Sequence, residues 1–206
     1  MKTFPMRFLS ISLFVLLAAC GSYPKKQGFS KILLSETQPG NPYFSDTTMD
    51  YVYRADIDVF KNAFSGLLIL KKLGNQHHRI VLTTEMGNVL FDFECVGEHF
   101  KVNQILPEMD KKVLKDLLRH DFMVLITENP VFTSSYIQEN SGLFETQLLS
   151  KNYYYAFKGD TLQKIVRVGH GKEKVNFLFS GINNNIAQQI AIIHANIPLA
   201  VHLKRL

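Results

Sequence analysis

The sequence predicts a mainly β domain of the α+β class, built on one curled antiparallel sheet of about ten or eleven strands. From residue 51 onward, short runs rich in Val, Ile, Phe and Tyr follow one another, separated by turn residues. These turns are too short for the crossovers that parallel strands need, so neighbouring strands are expected to be antiparallel. A twisted sheet of this size tends to curl, and its concave face then needs cover from a helix or a ligand.

Alternation of apolar and polar residues marks the strands and the side that each turns inward. Between 51 and 60 every second residue is apolar, and 89–95 alternates as cleanly, with Asp92 and Glu94 facing outward. Gly159-Asp160 is a two-residue hairpin signal between two later strands. The predicted strands are 51–60, 63–73, 79–85, 89–95, 99–104, 151–158, 161–168, 174–180, 186–195 and 199–206.

One helix is predicted over 108–120, where Met109, Val113, Leu117 and Leu118 recur at helical spacing. Acidic residues lie near its start and basic residues near its end, as the helix dipole favours. Residues 122–126 fit either a strand or a further helical turn, and 29–34 fit a short helix or turn.

The first 19 residues are typical of a secretory signal peptide. Lys2 and Arg7 precede the apolar run 8–19, which is too short to span a membrane, since a span needs about 20 residues. The segment Leu17-Ala18-Ala19-Cys20 resembles the lipobox of bacterial lipoprotein precursors, in which the cysteine becomes the acylated first residue. The alternatives are an ordinary signal with a chance cysteine, or a buried N-terminal helix.

The lipobox interpretation divides the chain into three parts: a lipoprotein signal peptide at 1–19, a lipidated tether and lead-in at 20–50, and one domain at 51–206. Lipid on Cys20 would attach the protein to a membrane, and two or three acyl chains are needed for persistent attachment. Gly21 and Ser22 are not acidic. By resemblance to other lipoproteins, this favours the periplasmic face of the outer membrane.

Composition argues against nucleic-acid binding. The chain has 23 Lys and Arg against 18 Asp and Glu, and the leader holds two of the basic residues. The remaining charge is small and dispersed, so no nucleic-acid partner is expected. Cys95 is the one cysteine besides Cys20 and lies in an apolar strand, which predicts a buried free thiol.

No motif for catalysis or metal binding emerges. His77 and His78 are adjacent, so on a strand they point to opposite faces. Cys95 and His99 supply only two ligands, and no Gly-x-Ser-x-Gly elbow occurs. We therefore expect no metal, no cofactor and no enzymatic activity, and a hydrolase with an unrecognised site is the least favoured alternative.

The inward apolar residues of this sheet allow two interpretations. They line a cavity that holds acyl chains, in which burial of methylene groups supplies the affinity. Alternatively, they form a filled core, and the pattern alone does not decide between the two.

A local resemblance favours the cavity. Residues 79–94 read RIVLTTEMGNVLFDFE, a strand, a turn centred on Glu85-Met86-Gly87 and a second strand. This hairpin resembles that of the outer-membrane lipoprotein receptor LolB and its relatives in the LolA/LolB-like superfamily. In those proteins, too, a Leu-Thr step leads into a tight turn with one large apolar residue before glycine. The order of parts is also similar, from lipid anchor through early strands and a helix to later strands.

The resemblance implies an unclosed antiparallel barrel capped by helices. Its cavity would take the acyl chains of lipoproteins from a soluble, LolA-like periplasmic carrier and deliver them to the outer membrane, with the protein acting as a monomer. Met86 would be the membrane-insertion residue, although its side chain could instead pack back on its own hairpin. By alternation, the cavity-lining residues would be Ile57, Leu82, Phe91, Phe93, Phe100, Val102, Phe177 and Phe179.

A competing function is a lipid-anchored periplasmic scaffold, or an accessory protein of an envelope complex, that transfers no lipid. In that case the sheet edge or the convex face would bind the partner.

Overall fold

The structure, a computed structural model, describes residues 22–206. Cys20 and the predicted signal peptide lie outside this range. The described chain forms one sheet of thirteen antiparallel strands with two helices. The fold class predicted from the sequence, a curled antiparallel sheet that does not close, is confirmed.

The strands follow the order β1-β7-β8-β9-β10-β11-β12-β13-β2-β3-β4-β5-β6, so β1 and β6 are the two free edges. Most neighbours are consecutive in the chain, and β13 pairs with β2 to join the two halves. The strands are β1 (Ser30–Ile32), β2 (Asp50–Val59), β3 (Asn62–Gly74), β4 (His77–Thr83), β5 (Val89–Val96), β6 (His99–Ile105), β7 (Phe132–Gln138), β8 (Ser141–Leu148), β9 (Lys151–Lys158), β10 (Thr161–Gly169), β11 (Lys172–Ser180), β12 (Gln189–His194) and β13 (Leu199–Arg205).

The strand count exceeds the predicted ten or eleven because β1, β7 and β8 carry weak signals. The central part of β7 is Thr133-Ser134-Ser135, which lacks the apolar alternation that reveals a half-buried strand. Residues 29–34, expected as a helix or turn, instead contain β1, which pairs with β7.

The long helix, α2 (Lys112–Ile126), begins later and ends later than the predicted 108–120. The amides of Met109 and Asp110 both bond to the carbonyl of Leu106, so this segment is a turn that precedes the helix. Residues 122–126 therefore form its last turns and not a strand. Its inward face carries Leu114, Leu118, Phe122 and Leu125, whereas Val113 is exposed.

The short helix α1 (Tyr23–Lys26) packs on the convex face of the sheet. The ring of Tyr23 lies 4.9 Å from that of Tyr154, and its hydroxyl donates a 2.7 Å hydrogen bond to Glu173. Together with Leu143 and Val166 these rings form a second, smaller apolar cluster. Residues expected to be a tether thus include a segment docked on the domain.

The main core fills the concave side of the sheet. Alternate residues of β2, β4, β5 and β11 point into it, and α2 and the loop around Tyr43 and Phe44 cover them. The hydroxyl of Tyr43, buried in this core, donates to the carbonyl of Leu162 at 2.6 Å. Within residues 22–206, no helix is both long and apolar enough to span a membrane.

Candidate functional site

The residues predicted to line a cavity lie on the concave side of the sheet. Phe100 is half-buried and Val102 is 36% exposed, because both belong to the edge strand β6. The other six are almost fully buried: Ile57, Leu82, Phe91, Phe93, Phe177 and Phe179.

Side chains of the protein itself occupy the space next to these aromatic residues. Phe91 and Phe93 stack on each other at 4.4 Å, and Phe122 of α2 packs on both, at 5.6 and 6.3 Å between ring centroids. At the other side Tyr43 lies 4.7 Å from Phe179. Side chains of α2 and of the loop before β2 therefore fill the concave side of the sheet next to these residues.

A cavity of about 340 Å³ opens at the C-terminal end of α2. It lies between the β3–β4 and β5–β6 turns on one side and the end of β8 on the other. The apolar part of its wall consists of Met123, Val124, Ile126, Pro130, Val131, Leu148 and Leu149. None of the eight predicted cavity residues lines it.

The rest of the cavity wall is polar and includes eight polar side chains, among them His78 and Glu128. The Lys72 ammonium lies 2.8 Å from Oε2 of Glu128, and both side chains are largely buried. Nε2 of His78 lies 3.1 Å from the carbonyl oxygen of Phe44 and 3.5 Å from Oε1 of Glu128. Burial lowers the pKa of His78, so at neutral pH the ring is uncharged and does not pair with Glu128 as an ion.

The β4–β5 turn presents Met86 to solvent. Its side chain is 91% exposed and does not pack back on the hairpin. The amide of Gly87 bonds to the Thr84 carbonyl at 2.9 Å, that of Thr84 bonds to the Asn88 carbonyl at 2.8 Å, and Gly87 has a φ of 85°. Glycine adopts this conformation without strain, which is why the turn can be so tight.

A second glycine lets this turn approach β3. A Cβ atom on Gly66 would lie 1.8 Å from the carbonyl oxygen of Thr83, at the point where the chain leaves β4. Any side chain at this position would therefore push the base of the Met86 turn away from β3.

A buried polar contact fixes α2 to the sheet. Nε2 of His194, on β12, lies 2.8 Å from Oδ2 of Asp121, and both side chains are almost fully buried. No local sequence pattern identifies Asp121 and His194 as a pair. Arg119-His120 is typical of a helix end, so the predicted helix stops at residue 120. Asp121 therefore falls outside the predicted helix, although it lies on the inward face of α2.

The described residues contain neither a metal-binding cluster nor a reactive thiol. Among residues 22–206, no three His, Cys, Asp or Glu side chains are placed to hold a metal ion. Cys95 is buried, and burial raises its pKa to about 12, so the thiol stays protonated and unreactive.

Comparisons with known proteins give likeness of fold only. No family model and no curated protein matches the sequence. A LolA superfamily protein from Nitrosomonas europaea superimposes with a TM-score of 0.51 at 7% identity, covering 81% of this chain and 88% of that one. A Vibrio parahaemolyticus domain described as an outer membrane lipoprotein-sorting protein gives a TM-score of 0.45 at 8% identity, covering 76% and 83%.

The second of these likenesses is too weak to carry an argument, so the fold assignment rests on the first. In this chain that fold is a curled sheet with two free edges and a helix on its concave side. The chain therefore has the fold of the LolA superfamily.

Proposed function

We propose that the chain is a lipid-anchored protein of the outer membrane that binds acyl chains and helps to receive and insert lipoproteins. Lipid on Cys20 would hold it at the periplasmic face, where it would meet a LolA-like carrier. The observation that carries this proposal is the cavity at the end of α2, a space in an unclosed sheet whose wall is apolar over about half of its area. Burial of each methylene there would contribute about 0.8 kcal/mol, and no covalent step is needed.

The size of the cavity sets what it can hold. Its volume of about 340 Å³ lies at the lower end of the range of ligand pockets, roughly 300 to 1,000 Å³. It therefore has room for part of an acyl chain. A longer chain would need more space, and because Met123, Val124 and Ile126 of α2 form part of the wall, α2 is the element that would have to move on loading.

Acyl-chain binding can be measured directly on a chain that starts at residue 20 and carries Cys20→Ser, which keeps every described element. We expect a fluorescent palmitoylated peptide to bind saturably. Leu148→Asp should raise the Kd at least about tenfold, because a carboxylate replaces part of the apolar wall. The readout is fluorescence anisotropy.

The matched control is Leu178→Asp, since Leu178 is 40% exposed on the outer face of β11 and does not line the cavity. Its affinity for the peptide should equal that of the unsubstituted chain. Binding that does not saturate, or that both substitutions weaken equally, would count against acyl-chain binding in this cavity.

Delivery to the membrane would depend on Met86, whose thioether is exposed on the tight β4–β5 turn. Met86→Glu should leave peptide affinity unchanged and slow transfer of a palmitoylated cargo to vesicles at least about tenfold, because a charged tip resists entry into lipid. Val96→Glu, at the far end of β5, is the control. Equal loss of binding and transfer would contradict the role of Met86 at the tip.

A second function, a lipid-anchored scaffold without lipid transfer, is favoured by one specific observation. Phe122 already fills the space beside Phe91 and Phe93, as expected of a domain with a solid core. Purification with one stoichiometric partner, together with no saturable peptide binding, would support the scaffold.

A further inference from the structure

The antiparallel order places the turns alternately at the two ends of the sheet. We call one end the Met86 rim, formed by turns 60–61, 84–88, 170–171 and 195–198. The β8–β9 turn is not counted in it, because Leu148 and Leu149 line the cavity together with turns 75–76 and 97–98. The other end, the opposite rim, consists of turns 75–76, 97–98, 139–140, 159–160 and 181–188. Two turns of the Met86 rim touch, because the amide of Phe60 donates a 2.7 Å hydrogen bond to the carbonyl of Pro198.

Two large apolar side chains project from the Met86 rim. Met86 is 91% exposed, and Phe60, in the β2–β3 turn, is 51% exposed. A single exposed apolar residue is ordinary on a protein surface. Met86 and Phe60 are at the tips of turns, whereas the exposed apolar residues at the opposite rim, Leu73, Val96 and Ile137, lie within strands. Aromatic rings favour the interface between headgroups and acyl chains.

The two rims also differ in charge. The turns of the Met86 rim contain Lys61 and a single acid, Glu85, whose carboxylate lies 3.6 Å from the guanidinium of Arg54. The turns of the opposite rim contain the acids Glu98, Glu139 and Asp160 and no Lys or Arg. An anionic lipid surface would attract the lysine and repel these three carboxylates.

The N-terminal segment reaches the same rim. Tyr23 is docked on the sheet, and the Lys26 ammonium lies beside Gly171 in the β10–β11 turn, 3.5 Å from where a Cβ on that glycine would be. Cys20 precedes Tyr23 by three residues, which span at most about 11 Å. A lipid on Cys20 would thus be held close to the Met86 rim.

We propose that the Met86 rim rests on an anionic phospholipid surface, with Met86 and Phe60 both inserted and Lys61 at the headgroups. This rests on the proposed function and adds the orientation of the domain and the class of lipid. The opposite rim then faces away from the membrane.

The lack of tryptophan in the chain makes this testable with a single introduced fluorophore. Phe60→Trp, Met86→Trp and Val96→Trp are each prepared in the Cys20→Ser chain. Val96 is 47% exposed at the opposite rim, so all three changes are at exposed positions. The probes are vesicles of phosphatidylethanolamine and phosphatidylglycerol in equal parts, containing brominated acyl chains that quench tryptophan.

We expect strong quenching and a blue-shifted emission for Phe60→Trp and Met86→Trp, and neither for Val96→Trp. Quenching of Met86→Trp alone would overturn the role of Phe60 and leave the proposed function standing. Equal quenching at Val96 would overturn the orientation. Loss of palmitoyl-peptide binding with normal quenching would instead contradict the proposed function.

The lipid class is tested separately with Lys61→Glu. This reversal should weaken partitioning into the anionic vesicles at least about fivefold, with no effect on phosphatidylcholine vesicles. Lys158→Glu, next to a turn of the opposite rim, is the matched control and should change little. Equal effects of the two substitutions would overturn the assignment of Lys61 to the headgroups.

Discussion

Replacing Phe122 with alanine is expected to lower the free energy of unfolding by about 3 to 5 kcal/mol, the range for a buried phenylalanine that leaves a hole. Phe122 is fully buried, and its ring contacts both Phe91 and Phe93. The surrounding sheet is held by its hydrogen bonds and cannot collapse into the space. Urea unfolding followed by circular dichroism measures the change.

Val113→Ala is the control on the same helix, because Val113 is 57% exposed. Its effect should stay within about 0.5 kcal/mol. If Phe122→Ala abolishes folding, Phe122→Leu provides a smaller loss of the same sign. If Phe122→Ala lowers the free energy of unfolding by less than about 1 kcal/mol, α2 does not fill the concave side of the sheet.

The face of each strand was the most predictable feature of this fold. Alternation in β2 and β5 correctly assigned Ile57, Phe91 and Phe93 to the buried side, because the concave face carries the main core. Asp92, predicted to face outward, is also buried, because Arg79 pairs with its carboxylate. The same signal fails in β7, where serine and threonine occupy a strand close to the free edge β1.

The predicted end of α2 at residue 120 is wrong, because packing outweighs the helix-stop pattern there. Arg119-His120 favours the negative end of a helix dipole, and that preference is worth only about 0.3 to 1 kcal/mol. Burial of Phe122, Leu125 and Ile126 beyond this point contributes more, at roughly 1.5 to 3 kcal/mol for each large apolar side chain. Packing therefore extended the helix past the pattern.

The site was only partly predictable. The exposed turn of Met86 follows from local features, a short turn with glycine at positive φ. The cavity does not, because its wall joins the β3–β4 and β5–β6 turns to the end of α2 and to Leu148, which are far apart in sequence. Such a wall is created by sheet curvature, and no local pattern encodes it.

Removing the carboxylate of Asp121 is expected to destabilise the protein about as much as removing the ring of Phe122. Asp121→Ala leaves His194 buried with neither ring nitrogen bonded, since its Nδ1 already lacks a partner. Breaking a buried polar pair in this way costs about 3 to 5 kcal/mol. Asp116→Ala, at an exposed position of the same helix, is the control and should be nearly neutral.

The double variant Asp121→Leu, His194→Leu separates two explanations of that loss. If the loss arises from the stranded imidazole, replacing both groups with apolar side chains should recover most of the stability, because apolar packing can substitute for a buried pair. If the double variant is as unstable as Asp121→Ala, the contact itself holds α2 on β12. Urea midpoints of Asp121→Leu, His194→Leu and the double variant are compared as a double-mutant cycle. The cycle decides between these explanations, because residues in direct contact do not behave additively.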